Sequence, residues 1–307
     1  MAAFTAKDVA DLRARTGVGM MDCKKALAEA EGDMEKAMTL LREKGLATQA
    51  SKAGRVAAEG LVCAIVENGV GAVVEVNSET DFVAQNQEFK NFVTSAAKTV
   101  IASNPADLDA LLASKAVGGT GTVEEDLQEL FLKIRENMKV RRFERLEGIL
   151  VPYVHGDGKI GVIVKLDSDI AADNEKLLDC GKNIALQVAA MNALYLDRAA
   201  VPPAVIEEEK KIMMAQMEED PKMKGKPEQV RAKIVDGKIG KYYTENCLVE
   251  QSYVKDGELS VSKYVESVAK ELGGSIQVIG FVRYEKGEGI EKKQDNFAAE
   301  VAGMVNN

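Results

Sequence analysis

His155 is the only histidine in the chain. A Ser-His-Asp triad would need it buried beside a nucleophile, but Gly156-Asp157-Gly158 follow it and place it in a hairpin turn. There it reads as a polar turn residue or a contact residue. With no second histidine, no metal constellation is signalled, and Cys23, Cys63, Cys180 and Cys247 are too far apart for a metal or redox motif. Gly-Lys recurs at 158–159, 181–182, 225–226, 237–238 and 240–241, never followed by Ser or Thr, so no phosphate-binding P-loop is present. Gly118-Gly119-Thr120-Gly121 follows no readable strand and is expected to be a flexible linker. The expectation is a protein with no catalytic residues, no metal and no cofactor of its own.

The pattern that does stand out is Thr80-Asp81-Phe82-Val83. Two readings of it are open. Thr80 or Asp81 caps a following helix while Phe82 staples it, or the loop presents a carboxylate beside an aromatic anchor, as protein hot spots do.

An internal repeat positions that loop. The first copy runs Glu59-Gly60-Leu61-Val62-Cys63-Ala64-Ile65-Val66, turns at Asn68-Gly69, and returns from Gly71 to Asn77. The second runs Glu147-Gly148-Ile149-Leu150-Val151-Pro152-Tyr153-Val154, turns after His155, and returns from Gly161 to Asp167. Each reads as a β-hairpin followed by an amphipathic helix, and Pro152 suggests an edge strand. Both returns end in Asn or Asp and then Ser. After Ser168, however, the second copy has Asp169-Ile170-Ala171-Ala172-Asp173 where the first has Glu79-Thr80-Asp81-Phe82-Val83, so the scaffold does not itself require the latter.

The fold expected is α+β. Residues 1–45 read as a three-helix bundle, with Thr5 and Asp8 as a capping box and Gly45 as a stop. A polar, partly helical linker at 46–58 follows. One core subdomain spans 59–146, with a helix near 123–138. A second spans 147–203 and 241–284, interrupted by an antiparallel helical hairpin, a coiled coil, at 204–240. A C-terminal module occupies 285–307, with a tail helix near Asn296–Val305 carrying Phe297, Val301 and Met304. The basic run Lys139-Val140-Arg141-Arg142-Phe143-Glu144-Arg145 reads as a solvated helix end.

The chain has 307 residues and a net charge of −9, which argues against nucleic acid as a direct partner. No stretch of eighteen apolar residues spans a membrane, the start shows no signal peptide, and the cysteine usage suits a reducing cytoplasm.

Arg15-Thr16-Gly17-Val18-Gly19-Met20-Met21-Asp22-Cys23-Lys24-Lys25-Ala26-Leu27 resembles the N-terminal signature of the bacterial elongation factor Ts family. Glu75-Val76-Asn77-Ser78-Glu79-Thr80-Asp81-Phe82-Val83 resembles its second signature. Gly287-Glu288-Gly289-Ile290-Glu291-Lys292, followed by Phe297-Ala298-Ala299, resembles its C-terminal module. The resemblance implies a bundle similar to ubiquitin-associated domains. It also implies a protein partner, the GTPase elongation factor Tu, whose GDP release the family accelerates, with no small-molecule substrate. Thr80, Asp81, Phe82 and Val83 would intrude beside the partner's Mg²⁺ and phosphate site. Leu12, Met20, Met21 and His155 would contact the partner. A rival expectation is a helical adaptor that binds ubiquitin-like or ribosomal partners through the bundle alone. A second rival, an enzyme with an unrecognised site, would need coupled titratable groups in a pocket.

Overall fold

A computed structural model describes residues 4–220, 222–223 and 225–291. The expected tail helix with Phe297, Val301 and Met304 lies outside the described residues.

Each repeat forms a three-stranded antiparallel sheet. In the first, β1 (Glu59–Glu67) pairs with β2 (Val70–Ser78), and β2 pairs with β3 (Lys139–Glu147). In the second, β4 (Ile149–His155) pairs with β5 (Ile160–Ser168), and β5 pairs with β8 (Ile276–Glu285). Pro152 lies on the edge strand β4, as its missing N–H requires. The basic run is therefore a strand and not a helix end. Its arginines serve a partner on the neighbouring strand, a relation that local charge patterning does not report.

The strands alternate between two destinations. Leu61, Cys63, Ile65, Ala72, Val74 and Val76 face helix α5 (Gln87–Ser103) and helix α7 (Val123–Ile134). Val62, Ala64 and Val73 face the other way and meet Leu150 and Ile163 of the second sheet. The second sheet's opposite face packs on α8 (Glu175–Met191) and α11 (Val261–Leu272); the short helix α6 (Leu108–Ala113) precedes α7, and a two-stranded ribbon of β6 (Ser252–Tyr253) and β7 (Asp256–Ser260) precedes α11. The core is thus helix, sheet, sheet, helix, which is why the strands read as near-continuous apolar runs.

The repeat extends to details of capping and register. Asn86 caps α5 by accepting from the N–H groups of Glu88 and Phe89, and Asn104 ends it at φ 46°. Asn174 caps α8 by accepting from Lys176 and Leu177, and Asn192 ends it at φ 50°. Each sheet has one bulge at the matching place, at Glu75/Val76 and at Lys165/Leu166.

The bundle comprises α1 (Ala6–Thr16), α2 (Met20–Glu29) and α3 (Met34–Lys52). The Thr5–Asp8 capping box is present. Gly45 does not stop α3, which continues to Lys52 and takes up part of the expected linker. A Cβ on Gly45 would sit 1.9 Å from Leu132 Cδ2, so this glycine marks the crossing of α3 over α7 and not a helix end. The helical hairpin is longer than expected, α9 (Pro203–Glu219) and α10 (Glu228–Asn246). Met217, Val235 and Ile239 fill its seam. Gly118–Thr122 forms a closed turn and not a loose linker, because the Asp126 carboxylate accepts from the N–H groups of Thr120 and Gly121. The helix expected near 123–138 ends at Ile134. Among the described residues no helix is long and apolar enough to cross a membrane.

Gly60 and Gly148, matched in the repeat, have φ of 119° and 126°, a region closed to side chains. Their surroundings differ. A Cβ on Gly60 would lie 2.1 Å from the Val76 carbonyl oxygen, whereas one on Gly148 would meet only the flexible Lys165 side chain, at 3.3 Å. Gly60→Ala is expected to cost about 3–4 kcal/mol and Gly148→Ala about 1–3 kcal/mol. Denaturant unfolding of the two variants checks the order.

Candidate protein-docking site at the end of strand β2

Strand β2 delivers the loop. Its last residue, Ser78, donates its hydroxyl to the Thr80 carbonyl at 2.9 Å. The short helix α4 (Asp81–Gln85) starts immediately afterwards. Thr80 sits at its N-cap position, but its side chain makes no capping bond. It turns instead to Glu136, on the segment between α7 and β3. The Thr80 N–H donates to Glu136 Oε2 at 3.0 Å, and its hydroxyl donates to Oε1 at 2.8 Å. Glu79 makes the reverse crossing, accepting the Asn137 N–H at 2.6 Å and a guanidinium bond from Arg55 at 3.3 Å. Both carboxylates are thereby satisfied by the loop's own framework.

This framework leaves two side chains unused, Asp81 and Phe82. Val83 and Ala84 are buried in the first core, while Asp81 is exposed and Phe82 is 83% exposed. Phe82 therefore staples nothing in this chain. In the second repeat the equivalent stretch carries no exposed aromatic: Ile170, half-buried, packs on the second core, Asp169 accepts from the Ser275 N–H at 2.7 Å, and the position matching Phe82 is Ala172. Burying a side chain the size of Phe contributes roughly 1.5–3 kcal/mol, and only the first copy leaves that unclaimed.

The end of α1 shares this face. Gly17, Phe82, Val83, Asn86, Glu88, Lys133 and Ile134 line one shallow groove. Three residues beyond Gly17 come Met20 and Met21, 42% and 63% exposed. Methionine adapts to irregular partner surfaces at small cost. The structure thus sets Gly17 and the Phe82 loop about one groove, with Met20 and Met21 opening α2 a few residues beyond Gly17. Leu12, by contrast, is fully buried in the bundle core. In the free chain the stripe it shares with Val9 faces inward. His155 lies exposed at the end of β4, on the second sheet, its Nδ1 3.0 Å from the Tyr153 hydroxyl.

A buried ion cluster braces β2 five residues before the loop motif begins. Glu75 is fully buried, and the bulge places both Arg141 and Arg142 opposite it. Arg141 donates to Oε1 at 3.0 Å and Arg142 to Oε2 at 2.6 Å. The Gly287 N–H adds 2.8 Å to Oε1, and Arg142 also lies over the Tyr284 ring at 4.1 Å. The cluster therefore joins β2, β3, β8 and the turn after β8. Sequence reasoning missed Glu136, Asn137 and the arginine pair. Each acts on a residue distant in the chain, and no local spacing marks the connection.

Residues 79–288 match the family model described as Elongation factor TS. This chain belongs to the elongation factor Ts family. The Elongation factor Ts of Clostridium kluyveri is 49% identical over 308 residues, covering 98% of this chain and 99% of that relative. Those of Clostridium perfringens strain SM101 and Syntrophotalea carbinolica are 50% and 47% identical, with the same coverage. The span matched to the elongation factor Ts family begins at Glu79 and includes the loop, Glu136, β3 and the whole second sheet, while β1 and β2 precede it. Among the described residues, no group of three or more His, Cys, Asp or Glu is placed to hold a metal ion.

Burial alone pushes the Glu75 carboxyl up, but the Gly287 N–H, the Asn77 amide and the two guanidiniums outweigh it and hold it below its ordinary value of 4.5. The folded chain thus binds this proton more weakly than the unfolded chain. The stabilisation is complete above the ordinary value and is lost as pH falls through the depressed one. Glu75→Gln is expected to cost roughly 2–3 kcal/mol at neutral pH. The gap from wild type should narrow as the solution is taken to about pH 3, which urea unfolding at a series of pH values measures.

Proposed function

We propose that this chain is a guanine nucleotide exchange factor for elongation factor Tu, acting on the GDP-bound GTPase. The observation that carries the reading is Phe82. It is a large aromatic, 83% exposed, on a loop whose backbone is tied down by Glu136. Holding an apolar anchor in its binding geometry lowers the ordering cost of association.

The mechanism is thermodynamic linkage. If factor and GDP each bind the GTPase well alone but poorly together, each weakens the other by the same factor. The GTPase holds GDP partly through Mg²⁺, which demands near-ideal octahedral geometry and bridges phosphate oxygens. Phe82 would wedge between elements that support that site. Asp81, exposed beside it, would set a competing negative charge near the ion's ligands. Thr80 and Val83 hold the pair in place, Thr80 through Glu136 and Val83 by its burial in the first core. Met20 and Met21 would cover the same partner domain from across the groove, and His155 would contact another domain from the second sheet. GTP then fills the emptied site by mass action. The factor needs no active site, cofactor or substrate of its own for this.

The adaptor reading, in which the bundle acts alone, is less well supported. Arg135 donates to Asp22 at 2.9 Å and Gly45 seats Leu132, so the bundle is built onto the first core and shares a groove with Phe82.

Phe82→Ala should slow release of a fluorescent GDP analogue from elongation factor Tu by roughly tenfold or more, the scale of a hot-spot truncation. Its melting temperature should not change, because the side chain makes little contact in the free protein. Stopped-flow measurement decides it; wild-type release by the folded variant would refute the role.

A further inference from the structure

Three consecutive residues, Arg135, Glu136 and Asn137, hold separate parts of the molecule. Arg135 ends α7 with φ 66°. Its guanidinium reaches Asp22 of α2 at 2.9 Å, and its carbonyl accepts from Lys52 at the end of α3. The Asn137 side-chain amide donates to the carbonyls of Ala53 and Arg55 at 3.2 and 2.7 Å. Its backbone N–H donates to Glu79. Between them, Glu136 takes both donors of Thr80 on its two carboxylate oxygens. One short segment thus ties down the bundle, the chain leaving it and the Phe82 loop. Leu127, Leu130 and Phe131 root the preceding helix in the first core.

The chemistry of this segment is one-sided with respect to the loop. Thr80 is the residue immediately before Asp81-Phe82, and at the N-cap position its hydroxyl would ordinarily accept from the helix N–H groups. Here it donates outward instead. The direction in which α4 leaves β2 is therefore set by Glu136 and not by local capping.

We infer that Glu136 is a positioning residue for nucleotide exchange, acting through Thr80 to fix where Asp81 and Phe82 stand relative to the bundle. The inference rests on the exchange reading above. A loosened loop still carries Phe82 and still docks through Met20, Met21 and the second sheet, so encounter with the GTPase is largely kept. What is lost is the aim of the wedge once docked. The effect should fall on the maximal rate of GDP release and not on the concentration of factor needed to reach half of it.

The test uses the full chain and two readouts. In Glu136→Ala, amide hydrogen exchange at Thr80 and Asp81 in the free protein, followed by NMR, should accelerate about tenfold or more. The saturating rate of fluorescent GDP release should drop about tenfold, while the half-saturating concentration moves less than about twofold. Glu136→Gln, which retains one acceptor oxygen, should restore much of both. Thr80→Val removes only the hydroxyl contact and should show a smaller loss of the same kind, so the inference remains testable if Glu136→Ala folds poorly. An unchanged saturating rate in folded Glu136→Ala, or unchanged amide protection, would overturn it. A rise in the half-saturating concentration alone would also overturn it, because that pattern belongs to a docking contact. If the wild-type chain itself leaves GDP release unaltered, the exchange reading fails. The amide measurement then still decides whether Glu136 holds the loop.

Discussion

The seam between the two sheets is the constraint on which the rest of the molecule depends. A three-stranded sheet covered by helices on one face still presents its other face to water, and neither repeat has a second helical layer. Val62, Ala64 and Val73 solve this for the first sheet by meeting Leu150 and Ile163 of the second. The approach is close because glycines stand at matching places in the two copies. A Cβ on Gly71 would press on Ile163 and Leu150 at 2.9 Å, and one on Gly161 would press on Val62 at 2.5 Å. Each copy thus supplies both the side chains and the gap that the other needs. The burial makes both strands of each hairpin two-sided, which holds their register, since a one-residue slip would exchange the two cores.

Once the seam is closed, the two copies are free to diverge at their rims. Glu75 and Lys165 occupy the same bulge position. Glu75 gathers Arg141, Arg142 and the Gly287 N–H into a buried cluster, whereas Lys165 has no such role. The strand-end loops diverge further. The second is sealed by Ile170 and Ser275, while the first is tied from outside by Glu136 and leaves Phe82 in solvent. One copy ties its loop to its own sheet and the other leaves an aromatic exposed. Rigid backbone with an unburied aromatic is the combination that favours binding a partner over further folding.

Much of this architecture was legible in the chain. The hairpins follow from alternation and turn residues, the helices from apolar spacing, and the repeat from its Glu-Gly starts and Ser endings. The loop at Thr80-Asp81-Phe82-Val83 stood out because the second copy lacks it. Other features were misread for reasons that can be named. The arginines of β3 looked like a solvated helix end because their partner, Glu75, lies on another strand. Gly45 looked like a helix stop because a glycine that terminates a helix and one that admits a neighbouring leucine are the same letter. Glu136 and Asn137 were passed over altogether, being polar residues at the end of a helix with no pattern of their own.

The sequence by itself determined most of the elements, their order, the family and the loop that sets the first copy apart from the second, because these depend on local periodicity and contiguous motifs. The tertiary structure alone decided which face of each element is used. Whether Phe82 staples its own helix or stands free is settled by Thr80 bonding to Glu136 and not to α4. Whether a charged run is surface or core is settled by a carboxylate on the neighbouring strand. These outcomes are set by contacts between residues far apart in the chain, and the free energy of such contacts exists only when the backbone has already brought them together.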